Sequence, residues 1–181
     1  MGKIRTEIDA EIRRFIEAQK IFFVATAPLE VQGHVNIYPK GLDTFRILTP
    51  AKVAYLDFNG SGVETIAHLK ENGRITLMFC AFQGPPDIVR LYGYGRAVEP
   101  HDPEFVALLS SFPAFENVRS IVTIELTRVV DSCGYGVPLF NYAGERTQLQ
   151  AWARKKGVDG LKAYRARKNR TSIDGLPGIT D

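Results

Sequence analysis

The stretch from His34 to Phe82, HVNIYPKGLDTFRILTPAKVAYLDFNGSGVETIAHLKENGRITLMFCAF, restricts the possible folds more than any other part of the chain. Strand alternation over 34–40 sets His34, Asn36, Tyr38 and Lys40 on one face and Val35, Ile37 and Pro39 on the other. The polar face is either the solvated side of an antiparallel sheet or the wall of a ligand site. Pro39-Lys40-Gly41 ends the strand and leaves a lysine within reach of an anion. Two further strands, Thr44 to Leu48 and Lys52 to Phe58, flank the turn Thr49-Pro50-Ala51. Asn59-Gly60-Ser61-Gly62 then leads into a helix running to about Asn72, with Ser61 and Glu64 in a capping-box spacing. Free amides at such a helix start, approached through glycines, form an anion site. The same pattern occurs in proteins that bind nothing there, and Glu64 opposes a phosphate.

The flanking segments extend this into a meander. Residues 6–19 read as a helix capped by Thr6, with Ile8, Ile12, Phe15 and Ile16 as its apolar stripe. IFFVATA at 21–27 is a buried strand ending at Pro28 and the Gly33 turn. Arg74 to Phe82 is a strand, closed by the turn Gln83-Gly84-Pro85-Pro86-Asp87. In the strand 88–98, Arg90, Tyr92, Tyr94 and Arg96 oppose Val89, Leu91, Gly93 and Gly95, and the glycines signal a close backbone, a bulge or strong curvature. Pro103 to Phe112 is a helix and Ser120 to Asp131 a long last strand. The expected architecture is mainly β with α: a six- to seven-stranded antiparallel barrel with flanking helices. Residues 1–140 form this domain. Residues 141–181 form a C-terminal helical extension packed on it, broken near Gly157 or Gly160, with Leu149, Trp152, Leu161 and Tyr164 inward.

Composition narrows the class. The 181 residues are 45% hydrophobic and 24% charged with a net charge of +3, which removes disordered, collagenous and coiled-coil classes. No apolar run reaches the roughly 18 residues of a spanning helix, and the charged amino terminus does not read as a secretory signal. A cytoplasmic protein without membrane or nucleic-acid partners is expected, the basic residues from Arg154 to Arg170 being a solvated helix face. Cys80 and Cys133 lack metal spacing; Cys80 is expected to pack as a small hydrophobe.

VNIYPKG, the strand VAYLD followed by GSG and ETIAHL, ENGRITLMFCAF and RLYGYGR together resemble the pyridoxamine 5'-phosphate oxidase-like family of FMN-binding split barrels. SCGYGVPLF, the helix opening at GER and the ending SIDGLPG resemble a branch described only as related to that oxidase. The resemblance implies a split barrel that pairs as a homodimer and holds FMN at the subunit interface. Carried to this chain, it points to Asn36, Pro39, Lys40 and Gly41 for the ring and ribityl chain. Asn59, Ser61, Gly62 and Thr65 would hold the phosphate, with Arg46 as an additional cation. The family's Ser-Arg-Lys triplet at the helix start is replaced here by Gly62-Val63-Glu64-Thr65. Its carboxyl-terminal Trp and Arg-Leu-x-Pro pattern is also absent. A relative of the oxidase, rather than the oxidase itself, is implied.

The resulting expectation is an FMN-dependent oxidoreductase acting on a small molecule, with no catalytic residue or metal site assigned, since the flavin carries the chemistry. Two alternatives stay open: a non-catalytic or haem-binding protein, with His34, His68 and His101 as the candidate haem ligands, and a deazaflavin in place of FMN.

Overall fold

The structure, a computed structural model, describes residues 3–179; Met1, Gly2 and the last two residues of the expected extension lie outside them. Eight strands and four helices follow in the order β1 (Ile4–Arg5), α1 (Ala10–Ala18), β2 (Phe22–Thr26), β3 (Asn36–Lys40), β4 (Phe45–Thr49), β5 (Lys52–Phe58), α2 (Glu64–Asn72), β6 (Arg74–Cys80), β7 (Asp87–Val98), α3 (Phe105–Leu109), β8 (Val118–Cys133) and α4 (Gln148–Lys168). The strands pair antiparallel in the order β3-β2-β6-β7-β8-β5-β4, with β1 added to β8.

The sheet is rolled but not closed. Phe22 on β2 and Phe45 on β4 stand five places apart in the strand order, a span of about 24 Å in a flat sheet. Their ring centroids lie 5.4 Å apart. Phe79 and Tyr55 join the same cluster, which α1 covers with Ile12 and Ile16. A seam remains between the edge strands β3 and β4, crossed by the short connection that contains Leu42 at φ 61°. The outer face of β5 and β8 carries a second core, in which Leu56 and Ile121 meet Phe105 and Phe112. With both faces covered, β5 is buried almost throughout.

Several local expectations are corrected. Asp9, not Thr6, caps α1: its Oδ1 accepts from Glu11 N at 3.0 Å and Ile12 N at 2.9 Å. A carboxylate satisfies two free amides at once. Ahead of it, Ile4 and Arg5 pair with Val130 and Val129. The expected capping box does not form, for Val63 occupies the cap position and no side chain caps α2. Glu64 Oε1 instead accepts from Ile173 N at 3.3 Å. The last strand begins at Val118, two residues before the expected start, which brings Arg119 into the sheet.

Other expectations hold. Gly93 faces the β8 backbone at a register shift, where a Cβ would collide with Glu125 O. Helix α4 breaks at Gly157, whose φ is 65°. Leu161 is buried there, and Trp152 packs edge-on against Tyr164 at 5.1 Å. Cys80 is buried in β6, while Cys133 is exposed. Among the described residues no helix is long and apolar enough to cross a membrane.

Candidate functional site

At the seam a cleft forms between the polar face of β3, the end of β5, the loop 59–63 and the first turn of α2. Asn36, Tyr38 and Lys40 line it from β3. The polar side of that strand therefore turns toward the cleft, while Val35 and Ile37 are exposed.

Beneath the cleft lies an ion cluster that sequence reasoning missed in two of its three members. Asp57 is fully buried. Its Oδ1 accepts from Lys40 Nζ at 2.8 Å, and its Oδ2 from Arg119 Nε at 2.6 Å. Ser120 Oγ stands 3.4 Å from the same oxygen. Burial opposes ionisation of Asp57, but the Arg119 guanidinium and the Lys40 ammonium outweigh it and hold the carboxyl well below the usual carboxylate range. The three groups together leave one net positive charge. Burial, reinforced by the neighbouring Asp57 charge, pushes the Tyr55 phenol well up, and its hydroxyl has no partner among the described residues. A carboxylate inside the buried run VAYLDF was the available signal, because such a group demands a partner.

A neutral network adjoins the cluster. Asn36 Nδ2 donates to Thr26 Oγ1 at 3.1 Å and to Thr65 Oγ1 at 3.0 Å. Thr26 Oγ1 also meets His68 Nδ1 at 2.9 Å. His68, a candidate haem ligand from the sequence, is fully buried, and that burial lowers its pKa. Asn36 is thereby fixed with its amide nitrogen facing inward.

The sequence-derived site residues divide into two groups. Asn36, Lys40, Gly62 and Thr65 line the cleft, together with Asp57, Gly60, Glu64 and Arg119. The other five are not among its lining residues. Pro39 is exposed on the edge strand, opposite Phe23. Gly41 begins the seam crossing near Lys20 O. Arg46 pairs with Asp43 at 2.5 Å and donates to Ser111 O at 2.8 Å, tying β4 to the end of α3. Asn59 is buried and donates to Asn117 O at 2.8 Å. Ser61 is exposed, and its carbonyl receives Asn169 Nδ2 at 3.4 Å.

His34 and His101 stand apart from this cleft. His34 donates through its backbone to Asp174 Oδ2 at 2.9 Å, and its Nδ1 lies 2.7 Å from Asp174 Oδ1 at the surface. His101 is exposed beyond β7.

An open antiparallel barrel with a polar cleft at its seam and helices over its ends defines a split-barrel protein. The sequence model of the pyridoxamine 5'-phosphate oxidase family matches residues 8–122. The pyridoxamine 5'-phosphate oxidase family protein ustO of Aspergillus flavus is 37% identical over 185 residues, covering 93% of this chain and 74% of that protein. The chain belongs to the pyridoxamine 5'-phosphate oxidase family. Among solved structures, a point variant of HupZ from Group A Streptococcus superposes with a TM-score of 0.56 at 20% identity, over 69% of this chain and 99% of that one. A candidate pyridoxamine 5'-phosphate oxidase from Lactobacillus delbrueckii gives 0.54 at 16% identity, over 69% and 94%. At such identities these two likenesses speak for the fold.

Proposed function

We propose that this chain is an FMN-binding oxidoreductase that works as a homodimer in the cytoplasm on a small molecule. One observation carries the reading: Lys40 and Arg119 meet the Gly60–Gly62 loop and the Asn36–Thr65 pair in a single cleft at the seam. That donor set fits a flavin phosphate, with two cations against the single charge of Asp57 and glycines that let a ligand approach closely.

The cleft's enclosed space is about 30 Å³, room for a water or two. Tyr38 and β3 at its mouth would hold the flavin ring. The dimer is proposed from the family resemblance, and its second protomer would cover that mouth. Bound there, the flavin supplies the redox chemistry. The chain's own part is to orient it through Asn36 and Thr65, to neutralise its phosphate through Lys40 and Arg119, and to exclude water.

Haem is the weaker reading, because none of His34, His68 and His101 lines the cleft. A deazaflavin would use the same anion donors. The test is the visible spectrum of the purified protein before and after adding FMN, with the released chromophore identified after denaturation. A flavin spectrum with one FMN per chain is expected. A Soret band, or a protein that takes up no flavin, overturns the reading.

A further inference from the structure

We infer that the ligand's anionic group, a phosphomonoester, is seated by Arg119 and Lys40 at the barrel seam, with Asp57 as the residue that positions them, and not at the start of α2. The inference rests on the flavin reading only for which molecule carries the phosphate.

Three observations converge. First, Glu64 occupies the helix start. Its carboxylate lines the cleft, and a Cβ on Gly62 would come within 2.6 Å of its Oε2. A phosphate placed against those amides would face that carboxylate, so like-charge repulsion drives it toward the opposite wall.

Second, the opposite wall holds the surplus charge. Arg119 is only 5% exposed and engages Asp57 through Nε, which leaves its forked end toward the loop, with Nη1 3.3 Å from Gly60 O. Lys40 uses one proton on Asp57 and stands 4.8 Å from the Tyr38 ring centroid. Both cations therefore keep donors for a ligand, and charge-assisted bonds of this kind are the strong ones.

Third, each carboxylate oxygen of Asp57 is taken by one of the two cations. It sets their spacing in advance, so little ordering remains to be done on binding.

The test uses the full chain and three probes: inorganic phosphate, FMN and riboflavin, each titrated calorimetrically. In the wild type, phosphate competes with FMN, and FMN binds more tightly than riboflavin. Arg119→Gln is expected to weaken phosphate and FMN by roughly tenfold or more while leaving riboflavin unchanged. Should Arg119→Gln fail to fold, as circular dichroism would reveal, Lys40→Met is the second variant, since it keeps the Asp57–Arg119 pair. It should show the same selective loss. Asp57→Asn keeps both cations and raises the net charge. Weaker phosphate binding supports the positioning role, and unchanged or stronger binding removes it. Phosphate affinity unchanged in Arg119→Gln and Lys40→Met, or a wild type that binds no phosphate, overturns the inference. A wild type that binds phosphate but neither flavin, and loses phosphate in the variants, sustains the anion seat while the flavin reading falls.

Discussion

Lys40 Nζ and Asp57 Oδ1 are 2.8 Å apart on strands β3 and β5, which are not hydrogen-bonded neighbours, so this ion pair spans the open seam of the barrel. Arg119 completes the cluster from β8 at 2.6 Å. The same charges that line the cleft also hold the two sides of the seam together.

Replacing Asp57 by Ala strands a buried guanidinium. Breaking a buried pair in this way costs about 3–5 kcal/mol. The shift in urea midpoint measures it, and a loss below about 1 kcal/mol would mean that Arg119 finds a substitute partner.

Asp57 also sets an acid limit. Its folded carboxyl lies below the usual range, so the unfolded chain takes up this proton first, near pH 4. Its stabilisation is complete above that pH and declines as the pH falls below it. Urea midpoints from pH 6 to pH 3 should fall more steeply for the wild type than for Asp57→Asn; parallel curves would remove Asp57 from the acid response.

His68 acts at higher pH. Burial lowers its pKa, so the neutral form is the one the fold accommodates. Its contribution is present above about pH 6.5 and is lost as the pH falls through the lowered folded value. Between pH 7 and pH 5 the wild type should lose stability that His68→Gln does not lose. Equal slopes in the two proteins would contradict this.

Gly93→Ala tests the barrel rather than the site. A methyl here collides with Glu125 O and comes within 2.9 Å of Ile124 Cγ2. Either β7 or β8 must shift at the register break, and a cost of about 1–3 kcal/mol follows. Thermal unfolding reports it, and a melting temperature equal to the wild type would show that the two strands part freely there.

Much of the element list was legible because its signals are local. The alternation in 34–40, the apolar run of β5, the end of α2 near Asn72 and the Gly157 break each need only neighbouring residues. The errors were also local competitions, as at α1, where Asp9 outcompetes Thr6 for the free amides. Asn36, Lys40, Gly62 and Thr65 line the cleft, whereas Pro39, Gly41, Arg46, Asn59 and Ser61 of the same stretch do not. Arg46 and Asn59 have the same residue chemistry but are committed to Ser111 and Asn117, partners far along the chain.

The sequence by itself determined that β3 has one polar face, that α2 stops near Asn72 and that the chain is an antiparallel barrel of this family. Only the tertiary structure decided that the barrel stays open between β3 and β4, and that residues 40, 57 and 119 converge at that opening. The physical reason is that side-chain period assigns a residue to a face, while strand order and curvature decide what stands across from it. Lys40 and Asp57 are 17 residues apart, and Arg119 lies a further 62 along. No local pattern links them, and the buried charge of Asp57 is satisfied only when the sheet has rolled up.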